Sequence, residues 1–123
     1  MATTTQEKVT KFIKKWNNFH FSTGCETGDD YKSFQRQYRN VLKAVAMEAG
    51  YELYKFNGNH YDFSAVLNKG DSFVYVSISD VRFWANEWYT NILYRRMRHA
   101  TDWTGMENHF STLENLANDI MRL

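Results

Sequence analysis

The sequence predicts one α+β domain over residues 1–123: two N-terminal helices, an antiparallel meander of three to four strands, and a C-terminal helix. Three observations carry this. Apolar residues recur every three or four positions in the segments before Gly50, at alternate positions in the segments between Tyr51 and Ser79 and from Ile92 to Met97, and every three or four again after Ser111. Glycine-containing turns punctuate the alternating part. The length of 123 residues is close to the commonest size of a single domain, and no repeat, linker-like or low-complexity segment divides it. Helices before and after a run of consecutive strands pack on one sheet face, leaving the other available to a partner.

In the first helix Val9, Phe12, Ile13 and Trp16 fall at i, i+3, i+4 and i+7. Thr4 followed by Glu7 fits a capping box at its start. Lys8, Lys11, Lys14 and Lys15 occupy the other side, giving a basic amphipathic helix that reads as docked on a core with a lysine-rich exterior. Asn17 to Asp30 reads as a loop and includes Cys25. Asp29 or Asp30 then caps a second helix whose Phe34, Tyr38, Val41, Leu42, Val45 and Ala49 share a face, and Gly50 is placed to end it. Its opposite side carries a basic stripe, Lys32, Arg36, Arg39 and Lys43, at spacings of four, three and four.

From Tyr51 the period is two. Leu53 begins one strand, and Tyr61, Phe63, Ala65 and Leu67 alternate along the next, with Asn57-Gly58 as the hairpin turn because both residues tolerate positive φ. Asn68-Lys69-Gly70-Asp71 is a second turn. In the strand Phe73 to Ser79, Val74, Val76 and Ile78 take one face and Phe73 and Tyr75 the other, as expected near the centre of a sheet. Val81 to Tyr89, with Phe83, Trp84, Trp88 and Tyr89 in no clean period, reads as an irregular crossover or a bulged strand. Ile92 to Met97 is a further strand. Ser111 with Glu114 opens the final helix, which carries Leu113, Leu116, Ala117, Ile120 and Leu123 on one side.

Composition narrows the function classes. The chain has no proline, so it holds no Pro-rich recognition segment, and aromatic residues make up 17% of it. Much of a core or of a binding surface is therefore built from large flat side chains. No apolar run is long enough for a membrane span and the N-terminus lacks signal-peptide character, so a cytoplasmic location and no membrane partner are expected. One cysteine permits no internal disulfide, in keeping with a reducing compartment. The formal charge of +1 hides segregation: +3 over residues 1–50, −2 over 51–81, +3 over 82–99 and −3 over 100–123. This is neither a strongly basic nucleic-acid binder nor an acidic DNA mimic.

No cofactor, metal site or catalytic set is expected. His20 and Cys25 have no second pair to complete a tetrahedral zinc site. Cys25 lacks a neighbouring motif that names a base, the serines of Ser77-Ile78-Ser79-Asp80 lack a nucleophile elbow, and no glycine-rich nucleotide cradle is present. His99, Asp102 and His109 form the one loop cluster that would serve an acid/base enzyme, and the preferred reading is ordinary loop histidines. The remaining constellation is Tyr94, Arg95, Arg96 and Arg98, close after Trp84 and Trp88. On a strand Tyr94, Arg96 and Arg98 project one way and Arg95 and Met97 the other, setting guanidinium groups beside aromatic rings. Such a surface grips phosphates and stacks bases, or forms a protein-binding hot spot, or simply neutralises the acidic last segment.

The strings Tyr54-Lys55-Phe56-Asn57-Gly58-Asn59-His60-Tyr61-Asp62-Phe63-Ser64-Ala65, Val76-Ser77-Ile78-Ser79-Asp80-Val81-Arg82 and Asp102-Trp103-Thr104-Gly105 resemble small accessory proteins of bacterial phages and conjugative elements. That group includes inhibitors of bacterial defence nucleases, anti-CRISPR proteins among them, which act by binding and use no cofactor. The resemblance covers about the second half of the chain and carries over no functional residue. It implies a non-enzymatic protein that binds a host protein or nuclease complex. The expected site is an exposed sheet face bearing Tyr75, Trp84, Trp88, Tyr94 and Arg96 with Arg95 and Arg98 nearby, rimmed by Lys32, Arg36 and Arg39. A nucleic-acid-binding module using the same basic and aromatic residues is the alternative, and a symmetric dimer remains open.

Overall fold

The computed structural model describes residues 4–16, 29–59, 62–78, 88–102 and 105–123. In chain order the elements are α1 (Thr5–Trp16), α2 (Asp29–Glu48), β1 (Glu52–Asn59), β2 (Asp62–Lys69), β3 (Ser72–Ile78), a 3-10 turn (Trp88–Thr90), β4 (Ile92–Met97), β5 (His109–Ser111) and α3 (Leu116–Met121). The α+β class holds, with five strands instead of three or four. They form one antiparallel sheet in the order β1-β2-β3-β4-β5.

The helix ends follow local chemistry. At the start of α1 the Glu7 N–H donates to Thr4 Oγ1 at 3.1 Å, and the Thr4 hydroxyl donates to Glu7 Oε1 at 3.1 Å. At the end of α2 the Gly50 N–H donates to the Met47 carbonyl and the Tyr51 N–H to the Ala46 carbonyl, with Gly50 at φ 84°. This paired closure needs a left-handed residue, which glycine adopts without a Cβ penalty. The Thr5 hydroxyl reaches Glu48 and the Trp16 indole donates to Gln37, so α1 lies antiparallel on α2.

The core lies between the helices and one sheet face. Val9, Phe12 and Trp16 of α1 and Phe34, Tyr38, Leu42 and Val45 of α2 meet Phe63, Leu67, Val74, Val76, Ile78 and Ile92 of the sheet, with Leu116 and Ile120 closing from α3. Phe34 is its aromatic centre. Its ring centroid lies 5.3 Å from Phe12, 5.2 Å from Trp16, 6.0 Å from Tyr38 and 5.2 Å from Phe63. Offset and edge contacts of this kind add to what burial of the rings already contributes. The expected alternation of β3 holds: Val74, Val76 and Ile78 are buried on the helix side, Phe73 and Tyr75 lie on the other, and β3 is the central strand.

Two of these expectations need correction. The Asn57-Gly58 turn does not form, because both residues are paired in the ladder, Asn57 with Ser64 and Gly58 with Phe63. A turn there would set Phe63 opposite Glu52 and leave Ala65 and Leu67 beyond the start of β1. The observed register pairs Ala65 with Phe56 and Leu67 with Leu53 instead. The second turn does form, with Gly70 at φ 56° and the Asn68 side-chain amide donating to the carbonyls of Gly70 and Ser72. Second, Ser111 and Glu114 do not open the last helix. Ser111 pairs with Ile92 as part of β5, and its hydroxyl donates to Asp119 Oδ2 at 2.6 Å, while α3 begins only at Leu116. Leu113, Leu116 and Ile120 are nevertheless buried as the period required. In the segment without a clean period, Trp88 and Tyr89 sit in a 3-10 turn, and residues 81–87 with Trp84 lie outside the described residues. So do residues 17–28 of the expected first loop, including His20 and Cys25.

Candidate interaction surface

The sheet face turned away from the three helices is built from alternate residues of each strand. Tyr75 sits between Val66 of β2 and Arg95 of β4, Phe73 pairs with Met97, and Leu93 pairs with Phe110 of β5. Strand pleating therefore puts all of these side chains on one side. The guanidinium carbon of Arg95 lies 4.6 Å from the centre of the Tyr75 ring, and Arg95 Nη1 donates to Asn108 Oδ1 at 3.1 Å. At the edges the Tyr54 ring meets Phe73 edge-on at 5.9 Å and is 56% exposed, and Phe110 is 59% exposed.

Beneath Arg95 the backbone comes close. Gly105 has φ 59°, and a Cβ there would fall 2.7 Å from both Cδ and Nε of Arg95. The loop carrying Gly105 is held by Asp102, which is buried and accepts hydrogen bonds from the N–H groups of Arg98 at 2.9 Å and Gly105 at 3.2 Å. The Met106 N–H adds a bond to the Arg96 carbonyl. Arg95 is thus fixed by a ring on one side, an amide oxygen at its tip and a side-chain-free backbone below.

The anticipated site residues do not form one surface. Tyr75 and Arg95 lie together on the outer face. Tyr94 and Arg96 project to the helix side, because Tyr94 pairs with Val76 and Arg96 with Val74. Tyr94 belongs to the core at 8% exposure, so it is a packing residue and not an exposed anchor. Burial raises its phenol pKa, the Asp119 carboxylate adds to the rise and Arg122 opposes it. Arg96 lines a cleft of about 430 Å³ with Tyr51, Lys69 and the end of α3. Arg98 is exposed, its Nε 3.8 Å from Asp102 Oδ2. Trp88 opens the 3-10 turn, whereas Trp84 lies outside the described residues. Lys32, Arg36, Arg39 and Lys43 are all exposed on α2, which packs on the opposite side of the sheet from Tyr75 and so cannot rim that face.

The loop cluster is likewise dispersed. Asp102 faces backbone amides, His99 Nδ1 lies 3.2 Å from the Thr101 hydroxyl, and the His109 ring stacks on Tyr94 at 5.3 Å. No group of three or more potential metal ligands occurs among the described residues. In the same residues no helix is long and apolar enough to cross a membrane. Sequence reasoning missed Tyr54, Asn108, Gly105 and Phe110. Only the last lies in an alternation, His109-Phe110-Ser111, and that is too short to register as a strand. Compared with protein-family models, with curated proteins and with solved structures, the chain gave no match.

Proposed function

We propose that this chain is a non-enzymatic interaction protein that binds a protein partner through the sheet face bearing Tyr75 and Arg95. In the setting its resemblance implies, it belongs to a mobile genetic element and inhibits a bacterial defence nuclease by occupying the nuclease surface. The observation that carries the binding reading is the Arg95–Tyr75 stack, held in place by Asn108 and Gly105 and flanked by the exposed rings of Tyr54 and Phe110. Arginine and tyrosine fixed before binding are the residue types that dominate protein interfaces, because little side-chain entropy is left to lose. The inhibitor reading rests on the resemblance of the second half of the chain.

Phage plating on CRISPR-immune bacteria that express the chain tests both. Restored plaques with the natural chain, and their loss with a folded Tyr75→Ala/Arg95→Ala variant, are expected. Absence of any protection across the tested CRISPR types removes the inhibitor reading. Protection that survives the double substitution moves the contact surface elsewhere.

A further inference from the structure

We propose that the outer face of the α1–α2 layer binds the phosphate backbone of double-stranded nucleic acid, independently of base sequence. This is a second site, on the opposite side of the sheet from Tyr75 and Arg95.

Along residues 8–16 and 32–43 the two helices contain no acidic residue. Eight exposed cations project from them, the four lysines of α1 and the four of the α2 stripe, and none forms an ion pair among the described residues. Between the helices runs a groove of about 530 Å³, with Lys8, Lys11 and Lys15 along one wall, Gln37 and Asn40 along the other, and Phe12 and Val41 at its floor. The α2 stripe continues this surface around the helix beyond Asn40. At 1.5 Å per residue it extends over roughly 16 Å, long enough to follow several phosphates. Such a concentration of like charge, without ion pairs among the described residues, costs self-repulsion that a polyanion relieves.

The chemistry of the face selects the polyanion. Protein interfaces are depleted in lysine and centre on apolar or aromatic anchors. This face is rich in lysine, and Met47 is the one large apolar side chain strongly exposed on the described part of α2. Single-strand binders stack bases on exposed rings. Here Phe12, Trp16, Phe34 and Tyr38 are all at most 4% exposed, so among the described residues of the two helices no ring is offered for stacking. Lysines and arginines on a surface whose described rings are buried suit a duplex, whose bases are already stacked and whose phosphates face outward.

Fluorescence anisotropy with a labelled 20-base-pair DNA duplex, an equally long RNA duplex, oligo(dT) and poly-glutamate, each at 50 and 200 mM salt, tests this. Micromolar duplex binding at the lower salt is expected, weakening by about 10³-fold at the higher if about six phosphates are contacted. Replacing Lys32, Arg36, Arg39 and Lys43 together by Gln lowers the salt slope by about four. Replacing Lys8, Lys11 and Lys15 by Gln is an independent check from the other helix, and Tyr75→Ala/Arg95→Ala leaves duplex binding intact. The proposal is overturned by absent duplex binding at 50 mM salt, by tighter capture of oligo(dT) or poly-glutamate, or by binding that survives both glutamine variants.

Discussion

Arg95 and Tyr75 are cross-strand partners whose side chains meet face to charge, the guanidinium 4.6 Å from the ring centre. Such a pair contributes about 0.5–1 kcal/mol where exposed and up to about 2 where desolvated; here both residues are half-buried and Arg95 Nε is buried. Its larger effect is to hold a planar donor group in one orientation on the outer sheet face. Tyr75→Ala or Arg95→Ala is expected to weaken binding of the cognate partner by about 2 kcal/mol while costing the fold little. Isothermal titration alongside a urea melt separates the two, and a loss confined to the melt would make the pair structural only.

Gly105→Ala couples to the same arginine. The substitution forces a Cβ onto a left-handed backbone and to within 2.7 Å of the Arg95 side chain. The backbone part costs about 1 kcal/mol and the collision adds to it. In an Arg95→Ala background only the backbone part remains. A double-mutant cycle in urea should therefore show a coupling of about 1 kcal/mol, and simple additivity would place the Arg95 side chain elsewhere.

Alkaline stability should turn on Tyr38. Burial drives its hydroxyl far above the ordinary 10.0, and Tyr94 is shifted the same way. Above pH 10 the unfolded chain loses these protons before the folded chain does, so stability is full below pH 10 and falls as pH rises. Each such group contributes a slope of up to about 1.4 kcal/mol per pH unit. Tyr38→Phe keeps the ring in the core and should flatten the decline measured by urea melts between pH 9 and 11.5. An unchanged slope would mean that Tyr38 ionises as freely folded as unfolded.

Thr4→Ala removes the side-chain acceptor of the Glu7 N–H. A cost of about 1 kcal/mol is expected, with Thr4→Ser close to neutral. Phe34→Ala, in contrast, empties the aromatic centre of the core and should cost about 3–5 kcal/mol. Thermal melts of the three variants rank them directly.

Much of the fold was legible because it is written locally. Thr4 and Gly50 mark helix ends through their own backbone chemistry, and the alternation of Val74, Val76 and Ile78 fixes the core face of β3. The strand Ile92–Met97 has the bounds its pattern gave. What escaped depends on partners distant in sequence. Three residues are too few to show a period, so β5 was invisible, and Ser111, which fits a cap, is bound by Asp119 eight positions away. The candidate site failed in the same manner. Nothing local to Tyr94 says that its ring lies opposite Tyr75, because that follows from the β3–β4 register, in which Tyr94 pairs with Val76. Nothing local to Lys32 or Arg36 says which side of the sheet α2 covers.

Every hydrogen-bonded strand pair in the sheet joins segments that are neighbours in the chain, from β1–β2 through β4–β5. The ladder can consequently grow by adding one hairpin arm at a time, each closing a modest loop once its predecessor is in place. A chain so ordered, and free of proline, has no long-range strand crossing among its described residues and no prolyl isomerisation to wait for. After dilution from denaturant it should regain its structure in a single kinetic phase, well ahead of the seconds-to-minutes scale on which proline-limited domains recover.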